Sequence, residues 1–248
     1  MKTVQRDDVI RYLNEYLEIE NFQDFTPKGI HVEGKETVGK IVTGVSCNAD
    51  LIDAAIEEKA DMVIVHHGIL WDKESHVVKG VLKGRLQKLL KHDITLLAYH
   101  LPLDAHRKIG NNAAAAQLLG MTHLEPFGGI GLRGRIHPVQ LNEFVQLLKK
   151  IYSSEPLSFA YGPETIETIA VCSGGAQKLI AEALEMGVDA FVTGEVSEPV
   201  MHLAKEGKLH FFSMGHHASE RLGIQRLGGL VAKKFDIIVS FVDIDNPV

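Results

Sequence analysis

The sequence predicts an α/β protein made of duplicated, three-layer α/β/α halves that can intertwine and whose sheets are mainly parallel. Two observations lead to this prediction. Short apolar runs typical of buried strands alternate with amphipathic helical segments, which is the pattern of parallel α/β sheets. The same pattern returns 128 residues later without a gap, which indicates an internal repeat.

The predicted elements of the first half follow from their side-chain patterns. Apolar residues at helical spacing predict a first helix over 7–18. Polar stretches predict a loop over 19–37, in which a short strand can form, and a second loop over 69–84. A β-rich run predicts a strand over 38–45, and short apolar runs predict strands over 62–65 and 94–99. Amphipathic segments predict helices over 49–59, 86–92 and 111–119.

A stretch rich in glycine and proline interrupts this alternation over 121–138, and we expect a hinge or domain boundary there. The first repeat is therefore assigned to residues 1–125 and the second to 126–248. In the second repeat a helix over 141–151 precedes a loop or edge strand over 153–165. The final run, 235–245, reads as a strand that can pair with either sheet and so cross between the halves.

The repeat rests on an alignment of strand, helix and strand. A shift of 128 positions places Asp61 on Asp189, with apolar positions matching on either side. Further along the chain, the strand over 94–99 resembles the stretch 209–214. Each of these is followed by a histidine and, four residues later, by a carboxylate. Two such pairs at corresponding points favour duplication over chance.

Histidines and carboxylates collect at the predicted carboxyl ends of the strands, the edge of an open α/β sheet where ligands bind. The strand over 62–65 runs into His66 and His67, and Gly68 allows the bend that lets both imidazoles converge. The full cluster is His66, His67, His100, Asp104, Glu195, His216, His217 and Glu220.

Mixed imidazole and carboxylate ligands suit borderline divalent metals such as zinc, iron, manganese or nickel. The sequence has no CxxC pair, which excludes a structural zinc finger. The donors exceed what one catalytic metal takes, and a carboxylate can bridge two ions roughly 3.5–4 Å apart. Asp104 and Glu220 are the candidate bridges. Such a site would lower the pKa of bound water to about 7.

Each candidate also has a plain structural interpretation. His66 and His67 could be hydrogen-bonded core residues, and either Asp104 or Glu220 could serve a helix N-terminus. His217 could face away from its neighbour. The remaining histidines are assigned structural or merely exposed roles: His31, His76, His92, His123, His137, His202 and His210.

Two further features have possible functional roles. We assign catalytic proton transfer to His100 and Glu195, which are expected to face a substrate or to support the ligands. The loop Ser173-Gly174-Gly175 could cradle an anion at the start of a helix, or simply begin that helix.

Composition excludes several classes of partner. The net charge of −6 leaves no electrostatic footprint for duplex DNA or an anionic membrane, so nucleic acid is an unexpected partner. No apolar run approaches the roughly 20 residues of a membrane span, and the first residues lack a signal-peptide core. The two cysteines, Cys47 and Cys172, cannot form a disulfide framework, and a cytoplasmic location is expected.

Six segments, taken in order, resemble the motifs of the GTP cyclohydrolase I type-two homologue family, also described as the NGG-interacting-factor-like dinuclear-metal family. The resemblance covers essentially the whole chain, including the tail over 243–247. The segments are Thr43-Gly44-Val45, Val65-His66-His67-Gly68, His100-Leu101-Pro102-Leu103-Asp104, Cys172-Ser173-Gly174-Gly175, Thr193-Gly194-Glu195 and Gly215-His216-His217-Ala218-Ser219-Glu220.

This resemblance implies an intertwined, duplicated fold and a ring-shaped homohexamer. GTP cyclohydrolase activity is claimed for some members of the family, while others are regarded as metal-handling or interaction proteins. The implied two-metal site consists of His66, His67, Asp104, His216 and Glu220.

Our first functional hypothesis is a metal-dependent hydrolase that acts on a nucleotide-like small molecule and uses two divalent ions, zinc, iron or manganese. The second is a non-enzymatic metal carrier or chaperone. The third is an interaction scaffold in which the metals only pin the two repeats together.

Overall fold

The computed structural model describes residues 2–75 and 77–248, so His76 lies outside the described residues. The chain forms two compact units, one of Met1–Leu103 with Gly223–Asp245 and the other of Asp104–Leu222 with Asn246–Val248. These units differ from the predicted boundary between residues 125 and 126. Asp104, which we assigned to the first repeat, belongs to the second unit, and residues 223–245 belong to the first.

The elements up to residue 104 largely follow the predicted order. The region 19–37 contains the short strand β2 that the prediction allowed, and β3 begins at its end, whereas the helix after His67 begins earlier than residue 86. In chain order they are β1 Val4–Gln5, α1 Arg6–Tyr16, β2 Gly29–Val32, β3 Thr37–Val38, β4 Lys40–Ser46, α2 Ala49–Glu57, β5 Met62–His67, α3 Gly80–Lys91, β6 Thr95–Ala98 and α4 Leu101–Asp104.

The remaining elements include a long helix, α9, whose residues belong partly to each unit. They are α5 Asn111–Leu118, β7 Thr122–Phe127, β8 Gly131–Gln140, α6 Leu141–Tyr152, β9 Leu157–Ala160, β10 Thr165–Cys172, α7 Ile180–Glu185, β11 Ala190–Thr193, α8 Val200–Glu206, β12 His210–Ser213, α9 His216–Phe235 and β13 Ile238–Phe241.

The first unit is built on a five-stranded sheet in the order β13-β4-β5-β6-β2. The first four strands run parallel, and β2 joins the edge in the antiparallel direction. Helices α2 and α3 bury Leu51, Ile52 and Leu89 against alternate residues of the central strands. The C-terminal strand β13 therefore pairs with the first sheet, one of the two possibilities left open by the sequence.

The second unit has a six-stranded sheet in the order β7-β8-β10-β11-β12-β9. Strands β10, β11 and β12 run parallel, and antiparallel strands flank them. Alternate side chains of β10 enter different apolar clusters: Ile169 and Val171 pack with α6, whereas Ala170 and Cys172 pack with α7 and α8. Both faces of this sheet are thus covered, and the predicted mixed α/β class is confirmed.

Residues 121–138, where we expected a hinge, instead form most of the hairpin β7–β8 of the second sheet. The glycines there serve close packing as well as the turn. A Cβ on Gly131 would lie 2.5 Å from the carbonyl oxygen of Val171, and one on Gly134 would lie 2.6 Å from that of Thr122. Glycine enrichment in this segment therefore reflects crowded strands rather than a linker.

Corresponding strand pairs in the two units share one register. In the first unit Ile41 pairs with Met62, and in the second Ile169 pairs with Ala190, each 128 positions later. The matching aspartates also bond alike. Asp61 Oδ2 accepts the amides of residues 39 and 40, and Asp189 Oδ2 accepts those of residues 167 and 168. Duplication as the origin of this likeness stays a prediction.

Among the described residues, no helix is both long and apolar enough to cross a membrane.

Candidate metal centre

Three imidazoles lie together in the first unit, at the carboxyl ends of its adjacent parallel strands β5 and β6. His66 and His67 close β5, and His100 lies just after β6. The ring centroid of His66 lies 4.6 Å from that of His67 and 5.2 Å from that of His100. One ligand nitrogen from each of the three falls within 4.8 Å of the others, so the group could hold a metal ion.

The hydrogen bonds of these rings favour metal binding through Nε2. The Nδ1 of His66, which is fully buried, lies 2.9 Å from the carbonyl oxygen of Tyr99. A carbonyl can only accept, so Nδ1 carries the proton and the lone pair of the neutral ring is on Nε2. His67 Nδ1 pairs with Ser46 Oγ at 2.9 Å. Such outer bonds fix the orientation of metal-binding histidines.

His100 is held by a carboxylate that the sequence did not single out. Its Nδ1 lies 2.7 Å from Asp24 Oδ1, and the Asp24 side chain is fully buried. Asp24 Oδ2 also accepts the backbone amide of Leu101 at 2.9 Å. Burial raises the pKa of Asp24, but hydrogen bonds and charge from His100, with backbone amides, bring it below its ordinary value. Asp24 is therefore an anion that orients the imidazole.

Gly68 also makes room for a neighbouring ring. A Cβ at this position would lie 2.2 Å from the ring of His31, so the residue after His67 must be glycine to admit that ring. His31 is tied in place by the carbonyl oxygen of Pro27 at 2.8 Å. Trp71 packs edge to face with His100, with ring centroids 5.2 Å apart.

The second unit gathers the carboxylates. Asp104 is 3% exposed, and its Oδ1 accepts bonds from Asn111 Nδ2 at 2.8 Å and Ser173 Oγ at 3.0 Å. One ligand oxygen of Asp104 lies within 4.8 Å of one of Glu220. These two predicted bridging residues are thus brought close together, and neutral donors orient the first of them.

His216 stands between two carboxylates. Its Nδ1 lies 2.6 Å from Glu195 Oε1, and its Nε2 lies 3.1 Å from Glu220 Oε1, four residues along α9. Burial lowers the pKa of His216, but the hydrogen bonds and charges of Glu220 and then Glu195 raise it to about 9. The surroundings therefore favour positive charge at this position, which a divalent cation would also supply.

The donors of each unit fit a borderline divalent ion. The first unit offers imidazole nitrogens, and the second offers two carboxylates with an imidazole. Glu195 and His217 belong to none of the candidate metal-binding groups formed by the described residues. Glu195 instead supports His216 and accepts a bond from Gln177 Nε2 at 3.1 Å. His217 is buried, and its backbone amide donates to the main-chain oxygen of Val248.

The loop Ser173-Gly174-Gly175 is unsuited to cradle an anion. The amide of Ser173 donates to Asn112 Oδ1 at 2.8 Å, and the amide of Gly174 donates to Ser219 Oγ at 2.9 Å. The bare Cα of Gly174 lies against the carboxylate of Glu220, which would repel a second anion. The loop instead positions Asp104 and gives Glu220 room.

The cysteines have no reactive character. Burial raises the pKa of both the Cys47 and the Cys172 thiol to about 12, so both stay protonated at neutral pH.

Comparison with known proteins places the chain in a family. The family model for Duf34/NIF3 (NGG1p interacting factor 3) matches residues 4–247. A relative from Escherichia coli strain K12, named GTP cyclohydrolase 1 type 2 homolog, is 44% identical over 254 residues and covers all of both chains.

Solved structures agree with this relationship. One described as protein ybgI, of unknown function, has 43% identity and a TM-score of 0.95, covering 99% of this chain and 100% of its own. TTHA1606 from Thermus thermophilus has 34% identity and a TM-score of 0.93 with the same coverage. The chain therefore belongs to the Duf34/NIF3 family.

Proposed function

We propose that this protein binds two divalent metal ions and uses them to hydrolyse a nucleotide-like small molecule. The proposed ligands are His66, His67, Asp104, His216 and Glu220. One observation supports this most strongly. In each unit one candidate imidazole is oriented through Nδ1 by an oxygen acceptor, the Tyr99 carbonyl for His66 and the Glu195 carboxylate for His216.

Bound divalent ions would supply Lewis acidity for attack by water. The residues of the chain would orient the ligands and move protons. Asn111 and Ser173 hold the Asp104 carboxylate in one orientation. Glu195, about one-third exposed, and His100 are the candidates for moving a proton to or from the substrate.

A nucleotide-like substrate is supported by the names of the relatives, which are called GTP cyclohydrolase 1 type 2 homologs. The test is to load the purified protein with zinc, iron or manganese and follow the consumption of GTP and a panel of other nucleotides. We expect turnover that His67→Gln abolishes. The matched control is His123→Gln, because His123 is an exposed residue of β7. Metal-loaded protein without turnover of any nucleotide would contradict the hydrolase.

A metal carrier is the second candidate. It is favoured by the partial exposure of His216, whose side chain is 30% accessible and could exchange an ion with solvent or a partner. A carrier predicts rapid transfer of metal to an apo-enzyme and no hydrolysis. A hydrolase predicts slow exchange and turnover, so the same preparation distinguishes them.

Assembly as a homohexameric ring, which the family resemblance implies, is also a proposal. Sedimentation velocity on the metal-loaded chain would report a single species of about six chains. If the metals only hold a scaffold together, Asp104→Ala would dissociate that species and lower its stability, and the wild-type chain would have no catalytic activity. A monomer under all conditions would contradict the ring.

A further inference from the structure

His100 in the first unit and His216 in the second have matching surroundings. Each comes after a parallel strand at the same place in its sheet, since β6 pairs with β5 as β12 pairs with β11. Each precedes a carboxylate by four residues, Asp104 in one case and Glu220 in the other. Each also directs Nδ1 at a carboxylate oxygen, 2.7 Å away for His100 and 2.6 Å for His216.

The carboxylate that holds His100 is itself fixed. Asp24 receives the amide of Leu101 at 2.9 Å on one oxygen and the amide of Phe25 at 2.7 Å on the other. Its side chain has no solvent exposure. A buried, multiply bonded carboxylate of this kind can turn an imidazole only one way, with Nδ1–H toward the carboxylate and Nε2 away from it.

His100 lies close to two of the proposed ligands. Ligand nitrogens of His66, His67 and His100 all lie within 4.8 Å of one another, within reach of one ion. Three imidazoles form a common protein ligand set for zinc and leave a further position open. Carboxylate, histidine and metal in line is a recurrent arrangement in which the carboxylate raises the basicity of the ligand.

We propose that His100 is a third imidazole ligand to metal bound by the first unit, and that Asp24 is the positioning residue that makes it one. The inference rests on the proposed metal binding and extends its ligand set beyond the five residues predicted from the sequence. It leaves Glu195 as the group available for proton transfer.

The test uses cobalt(II) as the probe on the full-length chain, with calorimetry for affinity and visible absorption for ligand geometry. His100→Gln removes the ligand, and Asp24→Asn removes the charge while keeping similar shape. His123→Gln is the control, since it removes an exposed histidine of the same protein. We expect the first two variants to lose about 10- to 100-fold in cobalt affinity and to alter the absorption bands.

A structural role for Asp24 alone would lower thermal stability and leave the cobalt spectrum of the folded protein unchanged. A second measurement is made on the wild-type chain, so its result does not depend on how a variant folds. In the wild-type chain, addition of zinc should shift the Nε2 resonance of His100, assigned by its absence in His100→Gln.

The outcomes distinguish a failure of the proposed metal binding from a failure of His100 as a ligand. If the wild-type chain binds no cobalt or zinc, the proposed metal binding fails, and this inference with it. If His67→Gln abolishes binding while His100→Gln and Asp24→Asn keep wild-type affinity and spectrum, and the His100 resonance does not move, only this inference is overturned.

Discussion

Substitution of Gly174 by alanine should weaken both the fold and metal binding. Gly174 has a φ of +67°, and an added Cβ would lie 2.3 Å from Glu220 Oε1 and 3.2 Å from His216 Nε2. Alanine in this left-handed conformation costs about 1–2 kcal/mol. The Glu220 side chain is only 3% exposed, so its displacement by an added Cβ is expected to break its bond to His216. Loss of a hydrogen bond to a charged group costs about 1.5–3 kcal/mol.

The matched control is Gly187→Ala in the same unit. Gly187 has a φ of +64°, and among the described residues nothing beyond its two chain neighbours lies within 4 Å of its added Cβ. Gly187→Ala should therefore lower the free energy of unfolding only by the backbone contribution of about 1–2 kcal/mol. Gly174→Ala should lose about 2.5–5 kcal/mol, the sum of both contributions.

Urea unfolding of the metal-free variants would measure the free energies of unfolding, and calorimetric titration with cobalt would measure affinity. We expect Gly174→Ala to bind cobalt at least about 10-fold more weakly than Gly187→Ala, because the displaced carboxylate is a proposed ligand. Equal stability and equal cobalt affinity in the two variants would refute the packing of Gly174 against Glu220.

Two further predictions concern the first unit. Although burial raises the pKa of Asp61, hydrogen bonds from Lys35 and two backbone amides bring it below the ordinary value of 3.8. Its stabilising effect is thus present above that value and lost as the pH falls through the folded-state pKa. Asp61→Asn should lower the free energy of unfolding, measured with urea, by about 1–3 kcal/mol at about pH 7. This loss should become smaller at about pH 3. An equal loss at both pH values would argue against an ionised Asp61. Trp71 is the only tryptophan, and its ring centroid lies 5.2 Å from that of His100 and 5.9 Å from that of His67. Cobalt should therefore quench its fluorescence, whereas Trp71→Phe should remove the signal and keep the affinity; unchanged fluorescence in protein that calorimetry shows to be loaded would contradict metal binding beside Trp71.

The strands that carry the candidate ligands were predictable because their signals are local. Apolar runs such as 62–65 are long enough to identify buried strands, and the residues next in sequence lie at the carboxyl ends of those strands. His66, His67 and His100 could therefore be assigned to one edge of one sheet, where the structure has them.

The supporting residues could not be found this way. Asp24 bonds to His100 across 76 positions and Ser173 bonds to Asp104 across 69, and neither lies in a periodic segment. Their roles follow from tertiary contacts alone.

The glycine-rich segment is the other place where the structure differs from the prediction. A glycine-rich stretch is compatible with flexibility and also with close approach of two backbones, and composition does not distinguish them. In 121–138 the second reason holds for Gly131 and Gly134. The unit boundaries also escaped prediction, because α9 is one continuous helix whose residues are divided between the units by their contacts.

The most direct test of the central claim is the metal content of the freshly purified chain, measured by elemental analysis and repeated after dialysis against zinc. We expect about two divalent ions per chain, and fewer when His67 or Glu220 is replaced by glutamine. A wild-type chain that stays folded and holds no stoichiometric metal under either condition would contradict it.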